Sequence, residues 1–320
     1  CSEIILRPNQ FCNLTEVVCR PFDDKNTLAR KVRVATLLGT IQATLTNFGY
    51  LRKRWRDNTE EERLLGVSLT GIMDCKLLNS SFQRLNYSAK IPYLDDTLSY
   101  LRNTAISTNK KWSEKLGINP STAITCVKPS GTVSQLVDSA SGIHTRHAPY
   151  YIRTVRADVR DPLTIFMKEH GIPNEPDVMN PEHTTVFSFP IAADPKSKFR
   201  NDLNAIQQLE IWKTYAKAWC EHKPSVTVSV KEDEWIEVGA WCWKNFDHLS
   251  GVSFLPYSDH TYKQAPYQEI SKEEYGKVRK MMPKKAIDWT QLKDFEKEDN
   301  TTGSQELACT GGVCELVDIT

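Results

Sequence analysis

The chain has 320 residues, enough for one large domain or two ordinary ones, and its 40% hydrophobic content can fill a sizeable core. With 41 basic against 40 acidic residues it lacks the bias of a dedicated nucleic-acid or membrane-surface binder. No apolar run approaches the roughly 18 to 20 residues that span a bilayer, and no secretory leader is visible, so the expected compartment is the cytoplasm.

In chain order, EIIL and TEVVC read as short strands around a loop at Pro8-Asn9-Gln10. Residues 26–50 read as a long helix, with Leu28, Val32, Ala35, Leu38 and Ile41 at helical spacing. Asn58 to Glu62 reads as a helix start or a charged turn, and GVSLTGIMD (66–74) as a strand and loop. Residues 94–116 read as helix, with Lys110, Lys111 and Lys115 late, which suits the macrodipole. STAITCVK (121–128) predicts a buried strand running into the turn PSGTVSQL (129–136). Strands are expected at 150–158, 184–192, 225–230 and 251–256, and helices at 201–221 and 231–246. This alternation predicts an α/β architecture with a substantially parallel sheet or barrel. After residue 283 the sequence is charged and loses periodicity, and residues 297–320 read as a flexible tail. The expected division is therefore 1–283 and 284–320.

Nine cysteines, an odd number without the spacing of a small disulfide scaffold, suit a reducing compartment. Cys75, Cys126, Cys220 and Cys242 sit among apolar or aromatic neighbours and read as core, and Cys19 as structural. Cys1, Cys12, Cys309 and Cys314 lie near the chain ends in Gly-, Asn- or Pro-containing segments.

Three stretches could carry chemistry. In PSGTVSQL, a strand turns through Pro129, Ser130, Gly131 and Thr132 into a helix, with Ser134 adding a hydroxyl. Such a turn can present backbone N–H groups to an anion, or be an ordinary capped helix start; it lacks the GKS or GKT ending of a Walker loop. In ELACTGGVCEL, Cys309 and Cys314 could exchange with a disulfide, form half a zinc site, or be incidental. A local zinc site lacks further Cys or His ligands nearby. In CSEIILRPNQFC, a strand would put Glu3 on the face of Cys1, pairing a thiol with a proton-transfer group. The alternative is a surface strand with an incidental Glu. His144 and His147 in SGIHTRH read as surface or site-facing residues rather than metal ligands.

Together with GVSLTGIMD, YYIRTVR, PSVTVSV, SGVSFLP and QAPY, these stretches resemble the C-terminal part of adenosylcobalamin-dependent (class II) ribonucleotide reductases, most closely the single-chain type acting on ribonucleoside triphosphates. The resemblance covers essentially the whole chain. It implies the C-terminal half of a ten-stranded α/β barrel with a flexible redox tail. It makes Cys1 the thiyl-radical residue, Glu3 the base on the 3′-hydroxyl and Cys12 one of two thiols that reduce the 2′ position. Cys309 and Cys314 become the tail pair that regenerates the active-site disulfide, recharged in turn by thioredoxin or a similar dithiol reductant. Pro129, Ser130, Gly131, Thr132 and Ser134 become the substrate phosphate loop. The implied cofactor is adenosylcobalamin, with no protein-bound metal and neither nucleic acid nor membrane as a partner.

The family's N-terminal portion, with the second reducing thiol, the Asn-Pro before the radical cysteine and the effector site, is not in this sequence. The expectation is that the chain alone is inactive and acts with that portion, on the same spliced chain or a separate one. A first residue of Cys is what an intein requires of a C-terminal extein. Rival readings are a non-catalytic thiol or zinc-binding module, an inert half needing a partner chain, and the iron-dependent reductase class. The last needs a late radical-transfer tyrosine pair, and Tyr150-Tyr151 comes too soon after the PSGT loop.

Overall fold

The computed structural model describes residues 3–79, 92–257 and 262–297. The chain sorts into two compact units: residues 1–146 with 196–257, and residues 147–195 with 258–320. This partition differs from the expected boundary after residue 283.

In the first unit, strands and helices alternate. β1 (Asn13–Val18) leads to α1 (Lys25–Gln42) and α2 (Lys53–Glu62), then β2 (Leu65–Thr70). α3 (Lys76–Asn79) and α4 (Pro92–Leu116) lead to β3 (Thr125–Cys126) and the short α5 (Val133–Leu136). α1 starts where Asp24 accepts from Thr27 N at 2.7 Å and Thr27 Oγ1 accepts from Asp24 N at 2.8 Å. Its Leu28, Ala29, Val32, Ala35 and Gly39 are buried, at the spacing of one helix face. Gly39 lets that face approach the sheet, since a Cβ there would lie 3.3 Å from Leu65 Cδ1.

β2 is fully buried because it is central: it pairs in parallel with β1 (Leu14↔Gly66, Glu16↔Ser68) and with β3 (Ser68↔Cys126). β3 is shorter than expected because the chain then turns to a parallel bridge, Val127↔Pro224, with Ser225 N donating to Val127 O at 3.0 Å. That bridge leads to β7 (Val226–Val230), which pairs in parallel with β8 (Val252–Pro256). Before and between these run α7 (Ala205–Ala218) and α8 (Trp235–Lys244). Trp212 and Trp219 are buried, donating to Pro224 O at 2.9 Å and Cys126 O at 2.8 Å, so both large indoles find acceptors. β1, β2, β3, β7 and β8 thus form a consecutive parallel row, joined at its middle by one bridge.

The second unit is antiparallel. β4 (Tyr150–Asp158) and β6 (Thr184–Ala192) match the expected spans, and pair from Tyr150↔Ala192 to Asp158↔Thr184. β5 (Asn174–Pro176) and β9 (Tyr267–Glu269) complete the order β5-β6-β4-β9, so Tyr151 lies in this sheet and not in the parallel row. α6 (Pro162–Glu169) packs Phe166 and Met167 with Ile172 and Phe187, and α9 (Lys272–Met281) starts at a Ser271–Glu274 capping box. Residues 284–297 are not the expected linker: Ile287, Leu292 and Phe295 pack on this core, at spacings that show no regular period. Among the described residues no helix is long and apolar enough to cross a membrane.

Candidate active site

Side chains alternate across a strand, and residues paired in a parallel sheet share a face. α1 covers the face of Thr15 and Leu65, as the contacts of Gly39 show. The opposite face carries Leu14 and Glu16 on β1, Gly66 and Ser68 on β2, and Cys126 on β3, by the register above. Cys12 precedes this face of β1 and Lys128 follows it on β3. Cys12 and Glu16 on and before β1, and Cys126 and Lys128 on and after β3, thus share one face across β2 only through register.

Glu3 joins them by another route. The expected EIIL strand is absent: residues 3–6 form a bend and an irregular stretch. The Glu3 carbonyl accepts from Lys223 N at 3.0 Å. The following loop is fastened to α2, which explains why an apolar run forms no strand here. Arg7 pairs with Glu61 at 2.9 Å, Asn58 Nδ2 donates to Pro8 O at 3.0 Å, and Phe11 N donates to Thr59 Oγ1 at 3.3 Å. Asn9, at φ 61, takes the left-handed turn that Asn tolerates. Asn58–Glu62 is therefore the end of α2, not a helix start. This anchoring holds both ends of the segment that runs from Glu3 to Cys12.

The Glu3 side chain is 2% exposed. Its Oε2 accepts from Lys128 Nζ at 3.2 Å, while Oε1 has no hydrogen-bond partner among the described residues. Glu16 Oε2 accepts from Ser130 Oγ at 2.8 Å. Burial pushes the Glu16 carboxyl above its ordinary range, opposed by the Ser130 hydrogen bond and by Lys128. Burial likewise pushes up the thiol of half-buried Cys12, opposed by Lys128. It raises the Cys126 thiol further, again opposed by Lys128 and reinforced by Glu3, Cys12 and Glu16. Cys12 is thus a neutral thiol at neutral pH, and it shares the neighbours Lys128 and Cys126 with the Glu3 carboxylate and its open oxygen. Such a pair can supply hydrogen from sulfur and accept a hydrogen bond from a ligand hydroxyl.

The turn at 129–134 closes on itself. Ser130 N donates to Ser141 Oγ at 3.0 Å, Ser134 N donates to Ser130 Oγ at 3.1 Å, and the Ser134 hydroxyl donates to Ser130 O. Ser130 and Ser134 are buried, whereas Pro129, Gly131 and Thr132 are exposed. Space is open beside Gly131, where a Cβ would meet nothing within 4 Å. Cys1, Cys309 and Cys314 lie outside the described residues. The structure therefore brings together Glu3, Cys12 and the turn at 129–134. It adds Glu16, Lys128 and Cys126, which carry no local motif beyond the lysine that precedes the turn.

The remaining cysteines follow expectation in part: Cys19, Cys75 and Cys220 are buried, while Cys242 is only half-buried. His144 serves the fold, since its Nδ1 meets Ser141 O at 3.0 Å and its Nε2 accepts from Thr227 N at 3.0 Å. With both nitrogens used, and burial pushing its pKa down, it is a neutral ring. Among the described residues no group of three or more His, Cys, Asp or Glu side chains is placed to hold a metal ion.

The parallel row and the antiparallel sheet define a fold that is shared with a solved protein. The crystal structure of a B12-dependent (class II) ribonucleotide reductase superposes with a TM-score of 0.74, at 23% identity, over 91% of this chain and 42% of that one. No family model matches the chain. Its curated relatives include the adenosylcobalamin-dependent ribonucleoside-triphosphate reductase of Lactobacillus acidophilus, 29% identical over 99% of this chain and 44% of that protein. Those of Lactobacillus gasseri and Lactobacillus leichmannii are 29% and 26% identical, over 87% and 99% of this chain and 40% and 45% of theirs. The resemblance read from the sequence is matched by these comparisons: over nearly its whole length the chain is similar to adenosylcobalamin-dependent ribonucleoside-triphosphate reductases. It spans less than half the length of the curated relatives it matches.

Proposed function

We propose that this chain is the thiol-bearing part of an adenosylcobalamin-dependent reductase that converts ribonucleoside triphosphates to 2′-deoxyribonucleotides. The observation that carries the reading is the buried Glu3, with one oxygen open and the other held by Lys128, the cation that also acts on the neutral thiol of Cys12. A three-stranded and a two-stranded parallel sheet, linked by the Val127–Pro224 bridge, support a half of a ten-stranded barrel. In this reading Cys1 bears the thiyl radical and Glu3 accepts the 3′-hydroxyl proton. The 2′ carbon is reduced as its hydroxyl leaves as water, and Cys12 and a second thiol are oxidised to a disulfide. That second thiol comes from a further part of the enzyme.

The turn at 129–134 receives the phosphates at its exposed Gly131 and Thr132, with Ser130 and Ser134 holding its shape. Cys309 and Cys314 exchange with the buried disulfide, and thioredoxin or a similar dithiol reduces them in turn. When bound, adenosylcobalamin supplies a radical by homolysis of its cobalt–carbon bond.

The test is conversion of CTP to dCTP by the enzyme carrying this chain, with adenosylcobalamin and reduced thioredoxin. Cys12→Ser is expected to reduce multiple turnover to background without loss of folding. Absence of dCTP with the wild type, or wild-type turnover by Cys12→Ser, overturns the reading.

A further inference from the structure

Lys128 occupies a constrained place. Its backbone N–H donates to Ser68 Oγ at 2.9 Å. Its carbonyl lies against Gly142, where a Cβ would come within 2.6 Å of it, and Gly142 has φ +52. The starting point of the lysine side chain is therefore held from two sides. From there it reaches Glu3 Oε2 at 3.2 Å, from a position 28% exposed to a carboxylate 2% exposed. A buried carboxylate is costly without such a partner. A carboxylate held at one oxygen cannot turn freely, so the open Oε1 keeps a single direction.

We propose that Lys128 is a positioning residue: it clamps one oxygen of Glu3 so that the other stays turned to the substrate hydroxyl, on the sheet face that Cys12 leads into. The inference rests on the reading of Glu3 and Cys12 as substrate-facing groups. Lys128 is the charged group that acts on Cys12, while Lys128, Glu3, Cys12 and Glu16 all act on Cys126, and Lys128 is the cation among them. Ser130 on the same loop holds Glu16, so the loop meets the thiol-bearing segment at two carboxylates. A lysine at this place thus ties the loop that the substrate phosphates would reach to the groups that would act on its ribose.

The test compares Lys128→Met and Lys128→Arg in the enzyme carrying this chain. Alkylation by iodoacetamide is followed against pH and localised to Cys12 by peptide fragmentation. Loss of the cation raises the thiol pKa, so Lys128→Met is expected to slow Cys12 alkylation at pH 8 by about threefold or more, and Lys128→Arg to restore it. Turnover is expected to show a fall in kcat with KM for the nucleotide little changed, again recovered by Arg. An unchanged alkylation profile overturns the proposal. A rise in KM alone also overturns it, and makes Lys128 a phosphate contact. Equal loss in Met and Arg variants, with equal loss of thermal stability, overturns it in favour of a purely structural role. A wild type that makes no dCTP defeats the reading of function, while the alkylation profile still judges the effect of Lys128 on Cys12.

Discussion

Two buried ion pairs in the same unit are built to opposite rules. Asp74 accepts from Arg146 Nε and Nη2, both at 3.0 Å, from Ala140 N at 2.7 Å and from Ser197 Oγ at 2.7 Å. Arg146 also donates to the Asp138 side chain at 2.8 Å and its carbonyl at 2.9 Å. Both Asp74 oxygens are used twice, and the pair joins residue 74, the stretch 138–146 and residue 197 into one corner. Glu3 instead has one contact from a partly exposed lysine and one bare oxygen. A saturated pair has nothing left to offer a ligand, so its work is structural. An open buried oxygen is a cost to the fold that a ligand hydroxyl or an ordered water relieves.

The largest effect that separates the two is on stability. Arg146→Met leaves the Asp74 carboxylate buried without its main partner, which costs about 3 to 5 kcal/mol. Urea unfolding should show that loss, and a change below about 1 kcal/mol would mean that Asp74 is less dependent on Arg146 than its four contacts indicate.

Next in size is Gly66→Ala, which tests whether the open pair depends on packing beneath it. A Cβ at Gly66 would lie 2.5 Å from Leu14 Cδ2 and 2.7 Å from Ile4 Cδ1. Overpacking of this kind costs about 1 to 3 kcal/mol. Because Ile4 is the neighbour of Glu3, turnover should fall by more than the stability change implies. Full turnover in a destabilised variant would show that the Glu3 segment moves without consequence.

The contrast also marks what could be read from the sequence. β4 and β6 were legible to the residue because nine-residue β-rich runs carry their own signal. α2 was misread because Asn58 followed by Glu61 mimics a capping pattern, while the real start at Lys53 has no side-chain cap. α9 carried a true Ser271–Glu274 box, and the short β5 and β9 exist only by pairing with longer neighbours. Of the residues gathered in the candidate site, Glu3, Cys12 and the turn at 129–134 stand out in the sequence through motifs and resemblance. Lys128 and Glu16 were not, because their neighbours are set by the register of β1, β2 and β3, and register is a long-range property.

The smallest effect concerns Glu16, which stands between the two rules: it is held by Ser130 yet raised by burial. A carboxyl whose folded pKa lies above its unfolded value binds its proton more tightly in the folded state. The folded state then holds more protons in the window between the two values, so stability declines as pH rises through it and levels off above. The window opens at the ordinary glutamate value of 4.5 and extends upward. Glu221 is raised in the same direction, while His144 and His222 are lowered by burial and act with the opposite sign, so only the difference between variant and wild type isolates Glu16. Glu16→Gln keeps an acceptor for the Ser130 hydroxyl and removes one titration. Its urea midpoint against pH should therefore fall less steeply above pH 4.5 than that of the wild type, by a difference of about 1 kcal/mol or less. A slope identical to the wild type would leave Glu16 as a spectator beside the turn.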